Sequence, residues 1–101
     1  MVLSIESFSK ILGPKVVVLG DMLELGEYAP SEHQKIIDLV NDKDFIDVIF
    51  IGHQFCSAGM GKRGNYFENT DLARLYFHTK NYKNIKILLK GSRGISVEKI
   101  L

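Results

Sequence analysis

Lys15-Val16-Val17-Val18-Leu19 is a short, continuous run of mostly β-branched residues with no polar alternation. A strand with one solvated face alternates apolar and polar residues, so this run predicts a strand covered on both faces, as in a parallel sheet. Asp47-Val48-Ile49-Phe50-Ile51 and Ile85-Lys86-Ile87-Leu88-Leu89 are of the same kind, and Tyr66-Phe67 predicts a short additional strand. The sequence therefore predicts a sheet of buried strands.

Amphipathic helices are predicted between these strands. The first ends at Gly13-Pro14, because Pro14 disfavours helical geometry in the residue before it. Its apolar stripe is Met1, Ile5, Phe8 and Leu12. A second helix is expected to open at Ser31, which forms a capping-box pattern with Gln34. Its predicted buried face is His33, Ile36, Ile37 and Val40.

Two further helices are predicted in the second half of the chain. Asn69 or Thr70 is expected to cap a helix that runs to about Lys80. Its expected apolar face is Leu72, Leu75, Tyr76 and Thr79, and a last helix begins with Val97, Ile100 and Leu101. Strict alternation of buried strands and helices predicts a three-layer α/β domain with a mostly parallel sheet, and residues 1–101 form one domain.

The composition narrows the functional classes. Of 101 residues, 46% are hydrophobic and 25% are charged, which is typical of a folded globular domain. A formal net charge of +1 gives no general attraction to nucleic acid or to an anionic membrane. No apolar run approaches the roughly 20 residues that span a bilayer, and the single cysteine fits a reducing compartment. We therefore expect a cytoplasmic domain without nucleic-acid or membrane partners.

Parallel α/β sheets bind ligands beyond the carboxyl ends of their strands, which selects residues 20–30, 52–61 and 90–94 for inspection. The first of these loops carries Asp21 and Glu24 three residues apart. Asp21 is placed to bind an ammonium group, a ribose hydroxyl or Mg²⁺ through water. The alternative is that Asp21 caps a turn and binds nothing.

Lys90-Gly91-Ser92-Arg93-Gly94 follows the last predicted strand. Its two glycines permit a tight turn with exposed backbone N–H groups, an arrangement that suits anions. Ser92 adds a hydroxyl group, and Arg93 adds a guanidinium that can hold a carboxylate or phosphate through two hydrogen bonds. The alternative is a solvated turn with a surface arginine.

The other candidate residues carry weaker signals. His33 is more typical of a hydrogen-bonded packing residue than of an acid–base catalyst. Gly52-His53-Gln54 either presents polar groups to a ligand or is a polar turn. Cys56 has no base partner nearby in sequence, and the histidines and cysteine show no metal-ligand spacing. Residues 59–64 predict a mobile basic loop, because they lack the spacing of a P-loop.

Two stretches resemble motifs of a known family. Val16-Val17-Val18-Leu19-Gly20-Asp21-Met22-Leu23-Glu24-Leu25-Gly26, followed by Glu32-His33, is similar to the start of one domain of that family. Leu88-Leu89-Lys90-Gly91-Ser92-Arg93-Gly94 is similar to a later segment of the same domain. The chain thus resembles, over almost its whole length, the C-terminal domain of the Mur ligases of peptidoglycan synthesis. Within them it resembles the ligases that add D-alanyl-D-alanine to UDP-N-acetylmuramoyl-tripeptide.

The resemblance implies a Rossmann-like domain within a three-domain enzyme. One missing domain would hold the UDP-sugar, and a central domain with a P-loop would bind ATP and Mg²⁺. The substrate's terminal carboxylate would be activated as an acyl phosphate, and the amine of D-alanyl-D-alanine would then attack it. The C-terminal domain would bring in the dipeptide and close over the nucleotide.

The resemblance also suggests roles for residues of this chain. Asp21 and Glu24 would lie at the cleft, and Lys90, Ser92 and Arg93 would line the closing surface. Arg93, with Ser92 and the loop amides, would hold the dipeptide's carboxylate or a nucleotide phosphate. Asp21 would meet a cation or order its loop. His33 would brace residues 21–26, and the chain would supply no catalytic residue or metal ligand.

The chain departs from the family pattern in two ways. The family's domain opens with a strand and an Asn-Pro turn, whereas this chain begins within the helix that follows, so the first strand is expected to be missing. The unpaired backbone predicts self-association or loose packing of the sheet. The sugar-binding and ATPase domains are also absent, so we expect a fragment with no ligase activity and no complete site for ATP or Mg²⁺.

A second interpretation is a stand-alone α/β module, either receiver-like and regulatory or ligand-binding. A receiver needs a phosphoacceptor aspartate at the end of a middle strand, but Gly52-His53-Gln54 follows Ile51. A dinucleotide-binding domain would show G-x-G-x-x-G after a strand, and no such motif is present.

Overall fold

The structure is a computed structural model that describes residues 1–23 and 25–101. In chain order its elements are α1 (Val2–Ser9), β1 (Lys15–Gly20), α2 (Ala29–Asn41), β2 (Asp47–Ile51), α3 (His53–Ala58), β3 (Asn65–Phe67), α4 (Thr70–Thr79) and β4 (Lys86–Lys90). Short 3₁₀ helices span Gly26–Tyr28, Arg93–Ile95 and Val97–Ile100. None of the helices in these described ranges is long and apolar enough to cross a membrane.

The four strands form one parallel sheet in the order β3-β2-β1-β4. Val17, in the middle of β1, pairs with Val48 of β2 and Leu88 of β4. Every residue of β1 is buried, which explains why the run from Lys15 has no polar alternation. The predicted α/β class with a parallel sheet is confirmed.

Helices cover both faces of the sheet. Helices α1, α2 and α3 pack on one face, against Val17, Leu19 and Phe50. Helix α4 and the last 3₁₀ helix pack on the other, against Val16, Val18, Ile49 and Ile51. The alternate residues of β1 thus point into two separate apolar layers, as expected for a strand at the centre of a three-layer domain.

Strands β1 and β4 are neighbours whose connections run in opposite directions. After β1 the chain passes through α2 on one face to β2, whereas it reaches β4 from β3 through α4 on the other face. Such a reversal is the topological switch point of an open α/β sheet, where a crevice forms beyond the carboxyl ends of the strands. The loops that follow β1 and β4 meet at this point.

The predicted first helix is too long by one turn. Helix α1 ends at Ser9, and Leu12 is 86% exposed rather than buried. The carbonyl groups beyond the helix end face lysine ammonium groups instead: Lys15 Nζ donates to Gly13 O, and Lys86 Nζ donates to Leu12 O. These two contacts hold the turn that joins α1 to β1.

The predicted capping box of the second helix is wrong. Helix α2 begins at Ala29, with Pro30 in its first turn, because the 3₁₀ helix Gly26–Tyr28 leads directly into it. The hydroxyl group of Ser31 donates to Tyr28 O and caps no backbone N–H. The predicted buried face of this helix is nevertheless confirmed: His33, Ile36, Ile37 and Val40 are all buried.

The predicted apolar face of the third helix is also wrong. The Asn69 cap is confirmed, since its side-chain oxygen accepts the Leu72 N–H at 2.9 Å. Leu72 and Leu75 are nevertheless exposed, whereas Thr70 and Ala73 are buried. The small Ala73 side chain allows α4 to lie close to the sheet, and this turns the leucines toward solvent. The last predicted helix forms as the 3₁₀ helix Val97–Ile100, and Leu101 is exposed.

Helix α3 lies within residues 52–61, where the sequence predicts a loop. It begins directly after Gly52 and is only six residues long. The predicted mobile loop at residues 59–64 is held against α2 by two side chains. Lys62 Nζ donates to Asp38 Oδ1 at 2.8 Å, and Asn41 Nδ2 donates to Arg63 O at 3.0 Å.

Candidate functional site

Asp21 leaves the carboxyl end of β1 and reaches across to the start of α3. Its side chain accepts the N–H groups of Gln54, at 2.8 Å, and Phe55, at 2.9 Å, and the residue is only 3% exposed. A carboxylate at this position satisfies two unpaired N–H groups and is favoured by the helix dipole. Asp21 therefore caps a helix that is distant in sequence, a role similar to the alternative in which it caps a turn. Both of its carboxylate oxygens accept hydrogen bonds from protein N–H groups.

His33 lies beneath the same loop and is fully buried. Its Nε2 accepts the Met22 N–H at 3.0 Å, and its Nδ1 lies 2.6 Å from Ala29 O. These two partners assign the neutral tautomer with the hydrogen on Nδ1. The ring also contacts Phe55 edge-on, at 4.5 Å between centroids. The predicted role of His33 in bracing residues 21–26 stays a prediction, which the contact with Met22 supports.

Ser92 joins the loop after β4 to the loop after β1. Its Oγ accepts the Leu23 N–H at 2.8 Å, and its own N–H donates to Asp21 O at 3.2 Å. The two strand ends approach closely at this point, because a Cβ on Gly91 would lie 2.9 Å from the Gly20 Cα. The two stretches selected from the sequence thus lie side by side at the switch point.

Lys90 and Arg93 provide positive charge at this edge. Both residues are exposed, Lys90 at the end of β4 and Arg93 at the start of the 3₁₀ helix Arg93–Ile95. The far end of that helix is anchored, because Thr70 Oγ1 donates to Ile95 O at 2.7 Å. The site therefore has a fixed backbone and two exposed cationic side chains, an arrangement that attracts a carboxylate or phosphate.

The expected row of free loop amides is only partly present. The N–H groups of Ser92 and Ile95 donate within the protein, to Asp21 O and Ser92 O. The Ser92 hydroxyl proton, in contrast, donates to none of the residues from 1–23 and 25–101. The side-chain groups that can face a ligand therefore include the Ser92 hydroxyl, the Arg93 guanidinium and the Lys90 ammonium. Glu24, the other predicted acidic residue, lies outside the described residues.

The remaining candidates lie along the same edge of the sheet. His53 begins α3 and faces Glu68 at 3.9 Å, with both side chains exposed. Burial, followed by the nearby charge of Glu68, raises the pKa of Cys56 to about 11, which keeps the thiol protonated and unreactive at neutral pH. Within the part of the chain that the structure describes, no group of three or more His, Cys, Asp or Glu residues is placed to hold a metal ion.

Comparison with known proteins gives relatives of one kind. No family model matches the chain. The chain is 32% identical over 106 residues to the UDP-N-acetylmuramoyl-tripeptide–D-alanyl-D-alanine ligase of Buchnera aphidicola from Acyrthosiphon pisum, covering 100% of this chain and 23% of that protein. It is 32% identical over 93 residues to the Treponema pallidum ligase of the same name, covering 85% of this chain and 20% of that protein.

Solved structures agree on the fold. A crystal structure of MurF from Acinetobacter baumannii superposes with a TM-score of 0.80 at 24% identity, covering 99% of this chain and 24% of that one. MurF ligase from Thermotoga maritima, in complex with ADP, gives a TM-score of 0.74 at 24% identity, covering 96% and 23%. The chain thus spans about a quarter of the length of the proteins it matches.

Proposed function

Since the chain belongs to the Mur ligase family, we propose that it is the C-terminal domain of a longer ATP-dependent ligase. That ligase would join D-alanyl-D-alanine to UDP-N-acetylmuramoyl-tripeptide in peptidoglycan synthesis in the cytoplasm. Residues 1–101 would form one of its domains, and the UDP-sugar and ATP would be held mainly by the others. The reaction class follows from the names of the relatives.

The hydrogen bond from Leu23 N–H to Ser92 Oγ is the observation that carries this proposal. It joins the two stretches that resemble the family, which lie at opposite ends of the chain, at the switch point of the sheet. Ligands of open α/β sheets bind at such points.

We assign the contact with the incoming dipeptide to Arg93 and Ser92. The Arg93 guanidinium would hold the dipeptide's carboxylate, or alternatively a nucleotide phosphate, through two hydrogen bonds. The Ser92 hydroxyl would donate its proton to the same anion, and Lys90 would add positive charge. Asp21 and His33 would not touch the ligand, because their polar atoms are occupied in fixing α3 and Met22.

The described residues do not fit a complete site for ATP or Mg²⁺. The sequence has no P-loop, and the Asp21 oxygens accept backbone N–H groups instead of facing an open position. The cations at Lys90 and Arg93 would complete a nucleotide or dipeptide site only when another domain closes against this edge. We therefore expect this chain alone to be inactive, and measurable release of ADP or phosphate from the pure chain would refute that.

The assignment is tested first by amide NMR of the isotope-labelled chain. D-alanyl-D-alanine and ADP with Mg²⁺ are titrated separately. If this domain binds one of the two ligands without the rest of the enzyme, that ligand should shift the amide resonances of residues 21–26 and 90–94 and no others. A well-dispersed spectrum in which neither ligand shifts any resonance would contradict binding by this chain alone. Ligand binding would then require closure of another domain against this edge.

The second test uses the complete ligase. Arg93→Ala should raise the Michaelis constant for D-alanyl-D-alanine or for ATP about tenfold or more, because a charge-assisted contact is lost. Arg63→Ala is the matched control, since this exposed arginine lies in the loop packed on α2. Kinetics of Arg93→Ala that equal those of Arg63→Ala would overturn the assignment.

A further inference from the structure

The turn that carries Arg93 is short and has little stability of its own. It is a single turn of 3₁₀ helix, closed by hydrogen bonds from Ile95 N–H to Ser92 O, at 3.0 Å, and from Ser96 N–H to Arg93 O, at 3.1 Å. Such turns have poorer hydrogen-bond geometry than α-helices. Ser96 ends the turn in the left-handed conformation, with a φ angle of 55°, which is uncommon for serine. Contacts with the rest of the domain therefore have to hold the turn in place.

Thr70 makes such a contact at the end of the turn. Its Oγ1 donates to Ile95 O at 2.7 Å, although the two residues are 25 positions apart in the chain. Thr70 is only 7% exposed, so water does not readily replace this hydrogen bond, and its loss would leave the Ile95 carbonyl group without this partner. The contact thus ties the turn to helix α4.

The position of Thr70 is itself fixed by the start of α4. Asn69 caps this helix, because its Oδ1 accepts the Leu72 N–H at 2.9 Å. Only one residue separates Asn69 from the end of β3, and Ala73 in the next turn is fully buried against the sheet. The Thr70 hydroxyl group therefore belongs to a frame that the strand end and the helix start hold in place.

Packing beneath the turn has a different role. The Ile95 side chain packs against the apolar layer on the α4 face of the sheet. An added Cβ on Gly20, at the end of β1, would lie 2.8 Å from Ile95 Cγ2, so the turn lies directly on the strand end. Apolar packing is non-directional, whereas a hydrogen bond depends on its angles. Packing thus keeps the turn close to the sheet, and the bond from Thr70 sets its orientation.

We propose that Thr70 is a positioning residue for Arg93: its hydroxyl group holds the 3₁₀ turn in the orientation from which the guanidinium binds the anion. This inference rests on the proposed function of Arg93. Two parallel hydrogen bonds from a guanidinium to a carboxylate or phosphate require a defined mutual orientation, so a rotation of the turn weakens both together. Thr70 acts only through the turn and does not touch the ligand.

The proposal is tested kinetically in the complete ligase. Thr70→Val keeps the shape of the side chain and removes the hydroxyl group. It should raise the Michaelis constant for the ligand that Arg93 binds about three- to tenfold and leave kcat nearly unchanged. Thr70→Ser retains a hydroxyl group and should restore most of the loss. Thr79→Val is the matched control, because this threonine lies on the same helix and its hydroxyl group also donates to a backbone carbonyl, that of Tyr76.

A double-variant cycle separates positioning from general stabilisation. Because Thr70 acts through Arg93, Thr70→Val should add nothing to the Michaelis constant of the Arg93→Ala enzyme. Multiplied effects of the two variants, or a lower kcat with an unchanged Michaelis constant, would show a merely structural role and overturn the proposal. If Arg93→Ala raises the Michaelis constant but Thr70→Val behaves like Thr79→Val, this proposal fails and the proposed function stands. If Arg93→Ala itself has no effect, both fail.

Hydrogen exchange in the isotope-labelled chain gives a readout that needs no ligase activity. Thr70→Val should accelerate exchange at the Ile95 and Ser96 amides, which close the turn, once the change in global stability is subtracted. Thr79→Val should leave both amides unchanged. Equal exchange at these amides in the two variants would overturn the proposal, because the turn would then not depend on the Thr70 hydroxyl group.

Discussion

Gly52 leaves the space that the Asp21 carboxylate occupies. A Cβ placed on Gly52 would lie 2.3 Å from the Asp21 Cγ, and the φ angle of Gly52 is 123°. Only glycine tolerates both the contact and the backbone conformation. The N-terminal cap of α3 by Asp21 thus requires a glycine at position 52, although Gly52 has no side chain to make a contact. The same cap fixes the start of the loop that follows β1.

Gly52→Ala should destabilise the domain by about 2–4 kcal/mol. The methyl group strains a positive φ and displaces the Asp21 carboxylate from two N–H groups of α3. Chemical denaturation measures the loss. Gly61→Ala is the control, because Gly61 also has a positive φ, of 79°, but no atom lies within 4 Å of its added Cβ. That variant should lose only about 1 kcal/mol; equal losses would show that the contact with Asp21 is unimportant.

Asp21→Ala should expose the start of α3 to solvent exchange. Without the carboxylate, the N–H groups of Gln54 and Phe55 lose their acceptors, at a cost of about 1–2 kcal/mol. Hydrogen exchange at these two amides should accelerate, while amides in the middle of α4 keep their rates once the change in global stability is subtracted. Asp21→Asn should retain part of the protection, because its amide oxygen still accepts one hydrogen bond. Unchanged exchange at Gln54 would contradict the capping role.

Ser92→Ala should uncouple the loops that follow β1 and β4. The Leu23 N–H then loses its acceptor, so its exchange rate should rise, at a cost of about 1 kcal/mol in stability. Ser96→Ala is the matched control, since that hydroxyl donates to the nearby Arg93 O and leaves Leu23 untouched. If both variants change Leu23 exchange equally, the bridge between the loops is not specific to Ser92.

The stability of the domain should fall as the pH rises from about 10 to about 12. Tyr76 and Tyr82 both donate their hydroxyl groups to the Asp47 carboxylate. Burial, together with Asp47, raises the pKa of Tyr76 to about 12 and also raises the pKa of Tyr82. Unfolded tyrosines lose their protons near pH 10, so the unfolded state binds fewer protons in this range and is favoured as the pH increases.

Tyr82→Phe should reduce this pH dependence and cost about 1–2 kcal/mol at neutral pH, because a hydrogen bond to a charged group is lost. Denaturation midpoints measured from about pH 8 to about pH 12 test both effects. Tyr28→Phe serves as the control, since Tyr28 is exposed in the 3₁₀ helix before α2. A Tyr82→Phe profile as steep as that of Tyr28→Phe would argue against the Asp47 cluster as its source.

Cys56 should react slowly with thiol reagents at neutral pH. Its pKa of about 11 leaves a thiolate fraction about a hundredfold smaller than that of an ordinary cysteine. Alkylation by iodoacetamide should therefore accelerate with pH until about pH 11. Glu68→Gln should lower this pKa and speed the reaction, whereas Glu98→Gln, on the last 3₁₀ helix, should leave it unchanged. Fast alkylation of the original chain at pH 7 would contradict the assignment.

The strands could be predicted closely because each is a compact apolar run. Asp47–Ile51 has the predicted bounds, β1 extends one residue beyond its predicted end, and β4 is shifted by one residue at both ends. Burial on both faces leaves β1 no polar alternation, so its sequence signal is strong, whereas the residues of the edge strands β3 and β4 are half-buried or exposed, which corrects the expectation of buried strands throughout the sheet. The apolar runs, and the helices between them, predict that the strands are parallel. Parallel strands place the loops that follow them at one edge of the sheet.

Helix faces and α3 were harder to predict, because they depend on contacts between distant residues. The periodicity of Leu72 and Leu75 suits an apolar face, but the small Ala73 determines which side of α4 approaches the sheet. Helix α3 is capped by Asp21, whose separation from Gln54 is 33 positions. A cap from so far along the chain leaves no local pattern; only Asp21 at a strand end and Gly52 after the next strand were visible in the sequence.

The central position of β1 has a consequence for how the chain is made. This strand pairs with β2 on one side and with β4 on the other, and Leu23, just beyond it, meets Ser92 at a separation of 69 positions. During synthesis β1 and β2 leave the ribosome well before β4, so one edge of a fully buried strand has no partner until β4 emerges. We therefore expect nascent chains that stall before Lys86 to aggregate or to require a chaperone, because an unpaired apolar edge readily adds foreign strands.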